Sequence, residues 1–283
     1  MKTVGELLQQ GEQFLLQRGI EDASFDAKEI VLLASGLDRS VFSLHLCDVV
    51  AEDIRVRTQF MLNERANGIP LQYILGEWDF YGNTFVVFPG VLIPRPETEE
   101  LTDMAVRYIK ENKCKTVYDV CAGTGCIGLS VAIACPDVQV YLFELYEKPL
   151  QCICKNVEKF HLQNVHIIAC DVLNPKIDDL PSADVIISNP PYIPAIELQA
   201  LQREVLHEPM TALDGGEDGL VFYRSLSSFW FFKLNPDGRM YFECAEKQPQ
   251  QIIDLFTSQH PEIKNAGGMK DFYGLDRFVV IEK

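Results

Sequence analysis

The chain has 283 residues, 47% of them hydrophobic and 23% charged, a balance that excludes disordered and fibrous classes and suits one large domain plus a small one. Its formal net charge is -16, and the deficit is spread along it: residues 1–85 hold 7 Lys and Arg against 13 Asp and Glu, and the remainder 18 against 28. Nucleic-acid affinity comes largely from Lys and Arg neutralising phosphates, so a direct DNA or RNA partner is not expected.

The first stretch reads as helical. Val4, Leu7, Leu8, Phe14 and Leu15 fall at helical spacing, and similar patterns recur over residues 27–33 and 54–62. Asp22 or Ser24 is placed to cap the second helix and Gly36 to end it, while Gly68 and Pro70 stop the last. Residues 1–71 are therefore expected to form a small helical bundle. Residues 72–93 change character, with aromatic and β-branched residues punctuated by Gly76, Gly82, Asn83 and Pro89-Gly90, the pattern of a β-hairpin connecting two domains.

A larger domain is expected over residues 94–283. Pro96, Glu97 and Thr98 look like the first turn of a helix running to about Asn112. Beyond Lys115, six short apolar runs are strand candidates, TVYDVC, VQVYLFE, VHIIAC, DVIISN, GRMYFEC and RFVVIEK. Helical patterns separate them at 126–135, 147–161, 219–234 and 246–259. Such alternation implies an α/β fold with a mostly parallel sheet covered on both faces, binding ligands at the carboxyl ends of its strands.

Nine cysteines are scattered without a Cys-x-x-Cys pair, so no metal is expected and the thiols fit a reducing compartment. The N-terminal residues lack the apolar stretch of a signal peptide, and nothing approaches the roughly 20 apolar residues of a membrane span. A cytoplasmic protein with no membrane association, acting as a monomer, is the expectation.

Three motifs carry chemistry. The first runs from Asp119 to Gly128 as DVCAGTGCIG, after a strand and into a helix. Gly123 and Gly125 permit a tight turn and close approach of a ligand, and Gly128 permits close packing of the helix. Glu144, 21 residues beyond Gly123 at the end of the second strand, is placed to accept hydrogen bonds from ribose hydroxyls of either a dinucleotide or S-adenosylmethionine. Asp171, ending the third strand before Val172, suits a group beside an adenine, and equally a loop or helix-capping aspartate.

The discriminating motif is Asn189-Pro190-Pro191-Tyr192, ending the fourth strand. An amide or exocyclic amino nitrogen is planar and poorly nucleophilic, so methylating it requires both N–H groups to be engaged and the nitrogen aimed. The Asn189 side-chain oxygen and the Pro190 carbonyl offer two acceptors, the prolines restrict the backbone, and Tyr192 offers a stacking surface. No strong general base is needed.

With these residues in place, the chain resembles the release factor glutamine methyltransferases, the PrmC/HemK family of Rossmann-like class I methyltransferases, over nearly its whole length. The resemblance rests on Pro70-x-Gln72-Tyr73-Ile74-x-Gly76, Phe80-Tyr81-Gly82, Leu92-Ile93-Pro94-Arg95-Pro96-Glu97-Thr98-Glu99, the glycine loop, and Asn189 to Ile193. Glu208-Pro209, Ala212-Leu213, Gly215-Gly216-x-Asp218-Gly219-Leu220 and the ending Asp271 to Arg277 complete it.

It implies a seven-stranded, mostly parallel sheet and transfer of a methyl group from S-adenosylmethionine, leaving S-adenosylhomocysteine, to the glutamine of a Gly-Gly-Gln loop in class 1 release factors. Cys121, Ala122, Gly123, Thr124, Gly125, Glu144, Asp171, Val172 and Asn189 would contact the cofactor. Asn189, Pro190, Pro191 and Tyr192 would receive the glutamine, and the helical N-terminal domain would help recognise the release factor. Arg95, Glu97 and Thr98 are candidates for the pocket wall, although a capped helix start explains them as well.

Two positions depart from the family: it usually has glycine where Cys121 stands and aspartate where Glu144 stands. His207, beside Glu208, fits a structural or surface role. Competing readings are an adenine-amino DNA or RNA methyltransferase, against which the charge counts, a catalytically silent cofactor-binding interaction protein, and a nicotinamide dehydrogenase, which leaves Asn-Pro-Pro-Tyr unexplained.

Overall fold

The computed structural model describes residues 2–283; Met1, the first residue of the expected helical domain, lies outside them. The chain divides into two compact units, one reaching to Glu77 and including Gln202–His207, the other comprising Trp78–Leu201 and Glu208–Lys283.

The first unit is helical. α1, Val4–Leu16, starts with a reciprocal cap in which Glu6 N–H donates to Thr3 Oγ1 at 3.2 Å and Thr3 N–H donates to Glu6 Oε2 at 2.9 Å. α2, Ala23–Ser35, ends on Gly36 at φ 68, as expected; Asp22 occupies its N-cap position without a side-chain bond. A 3-10 turn at Phe42–His45 and α3, Glu52–Ala66, follow, and Val4, Leu7, Val31, Leu32 and Phe42 form a buried cluster. Arg65 is buried against Asp26 and also meets Glu204 at 3.2 Å, tying the 202–207 segment into this unit.

The stretch read as a hairpin from residue 72 is partly helical. α4, Leu71–Leu75, begins after Pro70 and stops at Gly76, whose φ of 79 suits glycine. These start and stop signals outweigh the strand preference of Tyr73 and Ile74, a preference that depends on context. The hairpin itself is shorter, with β1 at Glu77–Phe80 and β2 at Asn83–Val86.

α5, Pro96–Asn112, has the predicted bounds, because proline has no N–H to leave unpaired at the first helical position. β3 (Thr116–Val120), α6 (Cys126–Ala134), β4 (Gln139–Glu144), α7 (Glu147–Phe160), β5 (Val165–Ala169) and β6 (Ala183–Ser188) then alternate. Next come α8 (Val221–Ser225), which widens into a π turn at Leu226–Trp230, β7 (Leu234–Glu243), α9 (Pro249–Gln259), β8 (Asn265–Lys270) and β9 (Asp276–Glu282). The sheet order is β5-β4-β3-β6-β7-β9-β8, with β9 antiparallel to both its neighbours and the five preceding strands parallel.

Both faces of the sheet are covered. Val117, Val140, Leu142, Val185 and Ile187 join one apolar cluster, and the alternating residues Tyr118, Phe143, Ile186, Met240 and Phe242 join the other. Trp230 anchors the second, its ring edge-on to Phe143 with centroids 4.7 Å apart. Truncating such a fully buried ring costs about 3–5 kcal/mol. The strand order places the carboxyl ends of β3, β4, β5 and β6 along one edge, where the motif residues gather.

Candidate active site

The turn after β3 is built for close approach. Cys121, Gly123 and Gly125 all have positive φ, 65, 58 and 78, and Ala122 N–H donates to Phe143 O at 3.0 Å. No atom lies within 4 Å of where a Cβ on Gly123 would stand, so its backbone faces open space. Gly128 is the opposite case: a Cβ there would meet Asp119 Oδ2 at 2.9 Å, and its N–H donates to the same oxygen at 2.8 Å. Only glycine lets α6 sit this close to β3.

A cavity of about 230 Å³ opens beside this turn. Its walls include Cys121, Gly123, Glu144, Asp171, Val172, Asn189 and Pro191 of the residues expected at the site. Ala122, Thr124 and Gly125 shape the turn from behind and are buried; Pro190, Tyr192, Arg95, Glu97 and Thr98 do not line the cavity. Apolar walls that were not anticipated come from Leu92, Tyr146 and Phe222.

Glu144 is buried and folded back over the turn. Its Oε2 accepts Gly123 N–H at 2.9 Å, and its Oε1 accepts Leu145 and Tyr146 N–H at 2.8 and 3.0 Å. Burial raises its pKa, and these three donors pull in the opposite direction. A carboxylate offers about four lone-pair directions, which leaves one for a ligand hydroxyl. Asp171 accepts Leu173 N–H at 2.9 Å and so closes its loop while lining the cavity. The Val172 carbonyl is fixed by Ser225 Oγ at 2.6 Å and Trp230 Nε1 at 3.1 Å.

Asn189 lies past the end of β6, half-buried at the cavity wall. Its Nδ2 donates to Thr98 Oγ1 at 3.2 Å, Thr98 Oγ1 donates to Glu243 Oε2 at 2.6 Å, and Tyr192 OH donates to Glu243 Oε1 at 3.3 Å. Burial pushes the Tyr192 phenol above its usual range. The Tyr192 backbone is held as well: its carbonyl accepts Gln248 Nε2 at 2.9 Å, and Ile193 N–H donates to Leu213 O at 3.0 Å. A Cβ on Gly215 would stand 2.8 Å from Tyr192 Cα, and one on Gly219 2.4 Å from Tyr192 O. This contact gives the Gly215 to Gly219 loop its physical link to Asn-Pro-Pro-Tyr.

Arg95 pairs with Glu208, whose Oε2 also accepts Ile93 N–H at 3.1 Å, so both charges fix the chain entering α5. Glu97 stands in the first turn of α5, half-exposed, and His207 is exposed in the turn Val205–His207. Sequence reading missed Glu243. The signal was present as an acid closing the apolar run GRMYFE at a strand's carboxyl end.

A family model described as the PrmC N-terminal domain matches residues 6–76, and one described as the methyltransferase small domain matches residues 84–230. The chain is 34% identical to the release factor glutamine methyltransferase of Geobacter sulfurreducens, the match covering 90% of this chain and 88% of that protein. It is also 34% identical to the release factor glutamine methyltransferase of Bacillus subtilis, over 99% of this chain and 97% of that one. Among solved structures it is similar to a 16S rRNA methyltransferase of T. thermophilus in complex with AdoMet and guanosine. That match has a TM-score of 0.52 and 18% identity, covers 73% of this chain and 49% of that one, and concerns the fold alone. The chain belongs to the release factor glutamine methyltransferase family.

Proposed function

We propose that the chain methylates the side-chain amide nitrogen of the glutamine in the Gly-Gly-Gln motif of a class 1 peptide-chain release factor, using S-adenosylmethionine. The observation that carries this reading is the Asn189 amide. Its Nδ2 is committed to Thr98, which leaves Oδ1 as an acceptor at the cavity wall. An acceptor there, with the Pro190 carbonyl as a second, suits a planar NH2 group that must be gripped by both hydrogens and aimed.

The residues present fit the cofactor. Gly123 has open space beside its α-carbon, and Glu144 keeps a lone-pair direction for a ribose hydroxyl. Cys121 to Gly125 would hold its amino-acid end, Glu144 its ribose, Asp171 and Val172 its adenine, and Asn189 would adjoin the reacting end. When bound, S-adenosylmethionine supplies a methyl group on a sulfonium, so departure of the leaving group needs no help from the protein.

What the chain contributes is placement. Asn189 and Pro190 orient the glutamine NH2, Pro191 stiffens the loop, and Tyr192 flanks the amide. Arg95, through Glu208, and Glu97, in the first turn, set the start of α5, from which Thr98 acts from behind Asn189. Proton loss follows methyl transfer, so no general base is assigned. The helical residues up to 71 would recognise the release factor, and the setting is the cytoplasm.

The planar amino group of adenine would satisfy the same two acceptors. The net charge of -16 argues against a nucleic-acid substrate. Incubating the protein with cofactor labelled in the methyl group, and with either a release factor or nucleic acid, separates the two. Label in the release factor is expected, and label in nucleic acid alone overturns the reading.

A further inference from the structure

We propose that Glu243 is a positioning residue for the transfer: acting through Thr98, it sets which end of the Asn189 amide faces the substrate, and acting through Tyr192 it holds the neighbouring ring. The inference rests on the reading above and adds a residue that reaches the reaction only through others.

A hydroxyl has one proton to give, and Thr98 Oγ1 gives it to Glu243 Oε2 at 2.6 Å. Toward Asn189 the same oxygen can then only accept, so the amide end meeting it at 3.2 Å must be the NH2. The Oδ1 end is thereby turned to the cavity. A reversed amide would set two oxygens against each other at Thr98 and present a donor to a substrate that itself brings two donors. Tyr192 OH points at the other oxygen of Glu243, so one carboxylate holds both side chains of the motif.

An acceptor-only group is what this requires. A glutamine at 243 could donate to Thr98, free the threonine proton for Asn189 Oδ1, and stabilise the unproductive orientation. Glu243 is 2% exposed, and a buried carboxylate is costly unless its hydrogen bonds compensate. Its surroundings are Thr98 and Glu97 on α5, Tyr192 after β6, Arg277 on β9, Cys244 beside it, Cys126 on α6, and Tyr223, whose OH donates to the Glu243 carbonyl at 2.6 Å. Burial raises the Glu243 pKa, with the Thr98 bond and Arg277 opposing and Glu97 adding to it. Protonation of Glu243 allows Thr98 to turn, so kcat is lost as pH falls through its pKa.

The test uses the full chain with Glu243→Gln, Thr98→Val and Thr98→Ser, read in two ways. In the first, NMR of the 15N-labelled Asn189 side chain, assigned with Asn189→Ala, reports solvent exchange of its NH2 protons without any substrate. One protected N–H, the one given to Thr98, is expected in the parent and in Thr98→Ser, and none in Glu243→Gln and Thr98→Val. In the second, kinetics with a release factor should show kcat down about 100-fold in Glu243→Gln and Thr98→Val, near-parental kcat in Thr98→Ser, and cofactor Kd within about 3-fold throughout. The acid limb of the kcat profile should disappear in Glu243→Gln, and the double variant should be no worse than either single one.

Free exchange of both Asn189 NH2 protons in the parent, or parental kcat in folded Glu243→Gln or Thr98→Val, overturns the role of Glu243. If Glu243→Gln does not fold, the Thr98 pair decides the matter. Absence of methyl transfer to the release factor by the parent counts against the substrate assignment, and the NMR result then decides for or against Glu243 on its own.

Discussion

The carboxylate of Glu144 accepts the backbone N–H of Gly123 at 2.9 Å, joining the end of β4 to the turn after β3 at the wall of the cavity. One side chain thus both shapes the glycine turn and lines the cavity. In Glu144→Gln one of the two oxygens becomes an NH2 that faces backbone donors. The expected result is a 10- to 100-fold rise in cofactor Kd, about 1.4–2.7 kcal/mol, by isothermal titration calorimetry, with release factor KM little changed. Unchanged cofactor affinity contradicts the assignment of Glu144.

Cys121 holds φ at 65, a conformation that costs a residue with a Cβ about 1–2 kcal/mol. Glycine at this position relieves that strain, at some cost in chain entropy. Cys121→Gly should therefore be as stable as the parent or up to about 1 kcal/mol more stable in urea unfolding. Cofactor binding should tighten, because the side chain that lines the cavity is removed. Clear destabilisation would show that the thiol contributes packing that outweighs the strain.

Asp119 is fully buried, and burial pushes its pKa from 3.8 to about 7. The folded chain therefore takes up a proton at a pH where the unfolded chain is still ionised. From this group, stability rises as pH is lowered from about 7 toward 4, and the full cost of burying the charge is felt above pH 7. Asp119→Asn keeps an acceptor for Gly128 N–H and cannot ionise. Urea midpoints should fall between pH 6 and 8 in the parent and lose most of that slope in the variant; equal slopes contradict the assignment.

Gly219 has φ 75, and a Cβ there would stand 2.4 Å from Tyr192 O. Gly219→Ala should leave the chain folded but about 2 kcal/mol less stable, and should lower kcat far more than it raises cofactor Kd. A variant with parental kcat would detach this loop from the placement of Asn-Pro-Pro-Tyr.

Much of this was legible in the sequence, for identifiable reasons. Strands buried on both faces read as continuous apolar runs, and Pro96 marked the start of α5. β8 was missed because NAGGMK has neither alternation nor β-branched residues, and it pairs only with β9 at the sheet edge. α4 was misread because its aromatic and branched residues outvoted its flanking Pro70 and Gly76. At the site, Gly123, Glu144 and Asn189 stood out because each belongs to a local motif. The Thr98–Glu243 bond spans 145 positions and Arg95–Glu208 spans 113, and such pairings are decided by the sheet order, which no local pattern encodes.

The most direct measurement is mass spectrometry of the Gly-Gly-Gln peptide from a release factor incubated with S-adenosylmethionine and the full chain, beside Asn189→Ala. One added methyl group on that glutamine is expected with the parent, and at least about 100-fold slower transfer with the variant. An unmodified glutamine, a methyl group on another residue, or parental transfer by folded Asn189→Ala would contradict it.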